Sequence, residues 1–293
     1  MRPVLQELVD LLRLERLEVD LFRGQSQDLG WGAVFGGQVL GQALSAAVQT
    51  VPEDRPVHSL HGYFLRQGDV RRPIIYEVDR IRDGGTFTTR RVVAIQEGKA
   101  IFSLSASFQI EEQGLQHQDR MPSVPGPDGL ESEIARSRRV VDRIPAALRE
   151  KATAERPLEI REVNPHNPLN PDRRAAVKHV WYRAIDPLPD DSSLHRYMLA
   201  YASDFHFLTT AMQPHGLSWL SPGMQVASLD HAMWFHRPFR MDDWLLHVVE
   251  SPSASGSRGL VRGQFFDRSG NLVASTAQEG LMRQRTRPEE PAR

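Results

Sequence analysis

The chain has 293 residues, 40% hydrophobic and 25% charged, which suits one large globular domain or two ordinary ones. Lys and Arg number 36 against 37 Asp and Glu, a net charge of -1 that argues against a nucleic-acid binder. No cysteine is present, which removes disulfides, thiolate metal sites and a cysteine nucleophile and fits a reducing compartment.

The chain opens with Leu5, Leu8, Val9, Leu11, Leu12 and Leu14 on a helical stripe, without the apolar stretch of a signal peptide. A glycine-containing loop follows, from Arg23 to Gly32. Small residues recur through Val34 to Val48, with Gln38, Gln42 and Gln49 as the main polar positions, and the stretch reads as a helix buried almost all round. Gly36, Gly37 and Gly41 each weaken such a helix by about 1 kcal/mol relative to alanine. They make sense if a sheet or a ligand packs closely on it.

The period then switches to two. Val57–Arg66, Ile74–Arg82, Thr86–Gln96 and Ala100–Ile110 read as strands, with Glu97-Gly98 as a hairpin turn. The stretch Met121–Gly129 is rich in turn residues, and Glu131–Glu150 is charged and reads as a helix. Strands recur at Leu158–Val163 and Val177–Ile185. The Asp190-Asp191-Ser192-Ser193 cluster caps a helix predicted over Leu194–Met212, which Pro214 and Gly216 end. Four more strands read at Val226–Arg237, Trp244–Ser251, Gly259–Asp267 and Leu272–Met282, with Ser269-Gly270-Asn271 as the last hairpin. The tail Arg287–Arg293 is polar and is not a Ser-Lys-Leu peroxisomal signal. No run reaches the roughly 18 apolar residues of a membrane span, so a cytoplasmic protein without membrane attachment is expected.

The second half repeats the first. Ser59–Arg66 aligns with Ser228–Arg237, allowing two extra residues, and Gly98–Ser103 aligns with Gly270–Ser275. Tyr201-Ala202-Ser203-Asp204 falls where Phe35-Gly36-Gly37-Gln38 falls in the first copy. This order predicts duplication of a helix-plus-sheet unit, packed as a pseudo-dimer.

The strings Phe22–Ser26, Val34–Val39, Tyr63–Asp69, Tyr201–Asp204, Leu229–Phe239 and Ala274–Gly280 resemble the acyl-CoA thioesterase II family, and the resemblance runs from about residue 5 to about residue 285. Its most specific part is Asp230-His231-x-x-Trp234-Phe235-His236-Arg237-Pro238. It implies an α+β double hotdog, two tandem units each with a long central helix wrapped by an antiparallel sheet. The expected division is 1–115 for a catalytically silent N-terminal unit, 116–156 for a linker with a charged helix, and 157–293 for the unit carrying the catalytic residues. The implied activity is hydrolysis of fatty acyl-CoA to fatty acid and CoA, with no cofactor and no metal. The implied catalytic residues are Asp204, Ser228 and Gln278. Many bacterial members carry Thr where Ser228 stands; the hydroxyl is kept and activity is expected to survive.

The residues suit that chemistry. A thioester carbonyl is reactive, so an aimed water suffices. A carboxylate can take the water's proton, and a hydroxyl and an amide can fix its direction. Spacing alone leaves Asp204 open as a helix-surface acid and Ser228 and Gln278 as ordinary strand positions. Asp204 does stand among Tyr201, Ala202, Phe205, Phe207 and Leu208, which is costly for an acid that is neither paired nor used. The first copy has Gln38 and Ala106 at the positions matching Asp204 and Gln278. Oxyanion donors are expected near the second central helix. Arg66, Arg90, Arg91, Arg237, Arg258 and Arg262 are candidates for the CoA phosphates.

His231 and His236 lie five apart on a strand, on opposite faces, so they read as structural and cannot share a metal. No Gly-x-Ser-x-Gly elbow is present, against a serine hydrolase. Two other readings stay open. A hotdog enoyl-CoA hydratase or dehydratase would need a histidine beside Asp204, and His206 points to another helix face. A non-catalytic acyl-CoA binding protein would not need all three polar groups. Exposed sheet edges predict a homodimer or homotetramer.

Overall fold

The computed structural model describes residues 1–30 and 32–285. Trp31, in the predicted glycine-containing loop, and residues 286–293, which include the whole polar tail, lie outside the described residues. The elements in chain order are α1 (Pro3–Leu12), β1 (Glu15–Glu18), β2 (Leu21–Gly24), α2 (Gly36–Val48), β3 (Val57–Phe64), β4 (Ile74–Asp83), β5 (Phe87–Gln96) and β6 (Lys99–Gln109). Then follow α3 (Glu133–Arg139), α4 (Ala146–Thr153), β7 (Leu158–Glu162), β8 (Val177–Ala184), α5 (Ser192–Ser203), α6 (Phe207–Met212), β9 (Met224–Ser228), β10 (Asp230–Phe235), β11 (Leu245–Ser255), β12 (Arg258–Asp267) and β13 (Leu272–Gln284).

The strands form one antiparallel 13-stranded sheet in the order β1-β2-β4-β5-β6-β3-β10-β13-β12-β11-β8-β7, with β9 pairing β13. The chain order within β4-β5-β6-β3 recurs in β11-β12-β13-β10. The two copies join where β3 meets β10, with Asp230 opposite Tyr63 and Ala232 opposite His61. Helix α2 packs on β4, β5 and β6, and α6 packs on β11, β12 and β13. Among the described residues no helix is long and apolar enough to cross a membrane.

Two glycines of α2 have a packing reason. A methyl group on Gly41 would come within 3.0 Å of the Tyr197 carbonyl oxygen, and one on Gly37 would overlap the carbonyl of Tyr201. The partner that needs bare backbone is thus helix α5, crossing α2 four residues at a time.

Several predicted elements differ. β1 and β2 have no counterpart among the predicted elements; Glu15–Glu18 is wholly exposed and shows no alternation. The predicted Glu131–Glu150 helix is two short helices, with Pro145 extended at the N-cap of α4. The predicted Val226–Arg237 strand divides at Leu229 into β9 and β10. The predicted Leu194–Met212 helix breaks at Asp204–His206, where His206 takes a left-handed conformation with φ 65°. α5 therefore lies on α2, while α6 lies on the second part of the sheet. Asp191 caps α5 by accepting from the N–H groups of Ser193 and Leu194.

Gly37→Ala places its methyl against backbone on a crossing helix that cannot move aside. It is expected to destabilise the protein by about 1–3 kcal/mol, measured by urea unfolding.

Candidate active site

The break between α5 and α6 puts Asp204 at the C-cap of α5. Phe205 stacks on Phe35, the N-cap residue of α2, with ring centroids 4.5 Å apart, and Tyr201 meets Phe35 edge-on at 5.2 Å. This aromatic knot holds the end of α5 against the start of α2. Ser228 closes β9 as that strand pairs with β13, and Gln278 points inward from β13, fully buried.

Three side chains distant in sequence meet here. Ser228 Oγ donates to Asp204 Oδ1 at 3.2 Å, and Gln278 Nε2 donates to Ser228 Oγ at 2.7 Å. The N–H of Gly37 also donates to the Asp204 carboxylate. Gly36 lies so close that a methyl there would stand 2.6 Å from Asp204 Oδ2. The carboxylate from one half of the chain is thus seated on the first turn of the helix from the other. One backbone donor at the cluster, Gly37, belongs to α2.

Burial raises the Asp204 pKa to about 6, the loss of water outweighing the bonds from Gln278, Ser228 and Gly37 that favour its charged form. The residue is therefore ionised at neutral pH but close enough to titration to exchange a proton.

The sequence read His231 as structural, and the structure supplies its partners. The imidazole is buried, with Nδ1 2.7 Å from Gln278 Oε1 and Nε2 3.0 Å from Ser203 Oγ. Desolvation lowers its pKa to about 4, so the ring is neutral and carries one N–H. With that proton on Nδ1 it donates to Gln278 Oε1, which turns the amide N–H toward Ser228. A run of bonds then leads from His231 through Gln278 and Ser228 to Asp204, each donor aimed at the carboxylate. The signal was available: His231 alternates with Met233 and Phe235 on the inward face of β10, where an imidazole needs a partner. His236 faces the other side and meets Ser275 Oγ at 2.9 Å.

His206 does not join Asp204. Its Nε2 is 3.9 Å from Glu133 Oε2, which counts against a histidine–aspartate dehydratase pair. In the first copy, Gln38 is consumed by its own loop, donating to Gln25 O at 2.9 Å and accepting from Gln27 N at 3.1 Å. Of the phosphate candidates, Arg90 is withdrawn: it is buried and spends its donors on Thr50, Asp83 and carbonyls. Arg91, Arg258 and Arg262 pair with Asp79, Glu279 and Glu250 at the surface. Arg66 and Arg237 donate to the carbonyls of Ala100 and Leu272.

The architecture is that of the hotdog class. A hotdog-fold protein from Alicyclobacillus acidocaldarius superposes with a TM-score of 0.76 at 19% identity, covering 96% of this chain and 99% of that one. The profile described as acyl-CoA thioesterase matches residues 147–281, and that of the acyl-CoA thioesterase N-terminal domain matches residues 26–109. Acyl-CoA thioesterase 2 of Haemophilus influenzae is 46% identical over 97% of this chain and 99% of its own length. Acyl-coenzyme A thioesterase 8 of Homo sapiens is 44% identical over 93% of this chain and 88% of its own. An acyl-CoA thioesterase II from Mycobacterium marinum, solved as a crystal structure, superposes with a TM-score of 0.78 at 44% identity, covering 95% and 99% of the two chains. The chain belongs to the acyl-CoA thioesterase family.

Two outcomes follow from the Asp204 pKa. If its ionised form is the active one, kcat/KM falls as pH drops below about 6, where an unburied aspartate would hold activity to about 4. A pH–rate profile reads this directly. Because the folded pKa lies above the unfolded one, folding stability falls as pH rises from about 4 to about 6. Asp204→Asn is therefore expected to raise stability at pH 7.5 by about 1–3 kcal/mol, read by thermal or urea unfolding.

Proposed function

We propose that this protein hydrolyses fatty acyl-CoA to free fatty acid and CoA, using a water that Asp204 activates and that Ser228 and Gln278 orient. The observation that carries the reading is the convergence of carboxylate, hydroxyl and amide within hydrogen-bond reach, in a site dry enough to lift the acid to about pH 6.

In this reading the water gives a proton to Asp204 as its oxygen attacks the thioester carbonyl. Negative charge gathers on the former carbonyl oxygen. The first turn of α2 borders the site, and its N–H groups not already spent on Asp204 or on the Phe35 carbonyl are the candidate donors for that charge. Collapse of the tetrahedral intermediate breaks the C–S bond. The leaving sulfur takes that proton from Asp204, which restores the ionised base, and the fatty acid departs as carboxylate after losing its own proton to solvent. Holding water and carbonyl in line can contribute several kcal/mol to the rate. No metal or cofactor enters this scheme.

We read the architecture as a double hotdog. Its proposed parts are an N-terminal unit over 1–115, a linker over 116–156 and a C-terminal unit over 157–293. The N-terminal unit lacks a base and an amide of its own, holding Gln38 and Ala106 instead, so one site per chain is expected. It still contributes Gly36 and Gly37 to that site. The terminal strands β1 and β7 leave open sheet edges, which suits a homodimer or homotetramer. Cytoplasmic action on acyl-CoA completes the reading.

Release of CoA thiol from an acyl-CoA series tests it, and the chain has no thiol of its own. Asp204→Asn and Gln278→Ala are expected to lose about 100-fold or more in kcat while staying folded. Ser228→Thr, which keeps the hydroxyl, is expected to stay active. Absence of CoA release by the wild type at every chain length would sink the hydrolase reading.

A further inference from the structure

We propose that His206 is a positioning residue for Asp204, its ring tying the bend between α5 and α6 to an ion cluster built by the linker and the second part of the sheet. The inference rests on Asp204 being the base.

Three consecutive residues at the bend are anchored to three different parts of the molecule. Asp204 is held by Ser228 and Gly37, and Phe205 is stacked on Phe35 at the start of α2. His206 turns the other way. Its Nε2 is 3.9 Å from Glu133 Oε2 on α3, and its ring meets Tyr182 of β8 edge-on at 6.2 Å. Glu133 is itself paired with Arg156 at 3.3 Å. Beside it, buried Glu162 of β7 accepts from Arg136 Nη2 of α3 at 2.8 Å and lies 4.0 Å from Lys178 Nζ of β8. Lys178 in turn donates to Thr209 Oγ1 at 2.9 Å, and the hydroxyls of Thr209 and Thr210 cap the His206 carbonyl at 2.8 and 3.0 Å. The bend is thus held by its ring on one side and its carbonyl on the other.

The backbone makes the side chain's part legible. His206 has φ 65° and ψ -3°, a left-handed conformation that costs a non-glycine residue about 1 kcal/mol or more. Glycine would adopt it without that cost. The ring is largely buried and desolvation lowers its pKa, so it faces Glu133 as a neutral imidazole, and its contacts are Glu133 at 3.9 Å and the Tyr182 ring. The consequence reaches the chemistry because Asp204 is only two residues upstream, on the same bend. A displacement of about 1 Å at a reacting group can cost about 100-fold in rate. The linker helix α3 is by this argument part of the support of the base.

The test uses the full-length protein and the CoA-release assay, with kcat and KM taken separately. His206→Gly keeps the left-handed backbone and removes the ring; Glu133→Gln keeps the shape of the linker side chain and removes its charge. His206→Gly is expected to lower kcat about 10–100-fold with KM little changed. Glu133→Gln is expected to lower kcat in the same way but less. The double variant should be no slower than His206→Gly alone, because both act through one contact. Melting curves establish that each variant is folded. If His206→Gly fails to fold, His206→Asn replaces it, since asparagine also tolerates this conformation. Wild-type kcat in either single variant, a loss confined to KM, or an additive double variant overturns the proposal. Asp204→Asn run alongside separates the two levels. An active Asp204→Asn removes the base assignment itself, whereas an inactive Asp204→Asn beside a fully active His206→Gly removes only the positioning role.

Discussion

The Asp204 carboxylate, the base of the proposed reaction, is held where charge is disfavoured, and much of the architecture around it follows from that tension. Loss of water lifts Asp204 to about pH 6, and hydrogen bonds from Gln278, Ser228 and Gly37 keep it from rising further. Without those donors the acid would tend toward its neutral form and could not take a proton. Without the burial it would be a weaker base, half ionised near pH 4. Each donor comes from a different element: a strand end, the last strand and the first turn of a helix in the other half. The site exists only because these elements are brought to one point.

Two close approaches bring them there. The α2–α5 crossing needs bare backbone at Gly37 and Gly41, and it carries the end of α5 onto the start of α2. The β3–β10 pairing makes the two sheets continuous, so that β13, neighbour to β10 and β9, presents Gln278 beneath the same point. The helix break is the third condition. A straight helix from Leu194 to Met212 could not lie on α2 and on the second part of the sheet together. The break at Asp204–His206 lets α5 serve the first contact and α6 the second, with the acid at the corner.

Buried polar groups elsewhere fit this arrangement. His231 is kept neutral by burial, and its one N–H decides which way the Gln278 amide faces. The ion cluster of Glu133, Arg136, Glu162 and Lys178 lies on the far side of the bend. Such groups add little to net stability. Their value is in direction: they restrict rotation of the side chains at and beside Asp204 on which the proposed chemistry rests.

The sequence by itself determined the strands β3 to β6 and β11 to β13, the buried helix α2, the Asp191 cap and the hairpins at Glu97-Gly98 and Ser269–Asn271. Those rest on local periodicity and turn chemistry, which act over a few residues. It also carried the resemblance that singled out Asp204, Ser228 and Gln278. It did not show the break at Asp204–His206, because the residues on either side keep helical spacing and only tertiary contacts decide where a helix bends. It did not show what the glycines of α2 accommodate, because a bare backbone reads the same whether a sheet, a ligand or a helix approaches. Nor did it show His231 as a partner of Gln278 or Gly37 as a donor to Asp204. These are contacts between residues tens to hundreds of positions apart, and they were decided by the joining of the two halves.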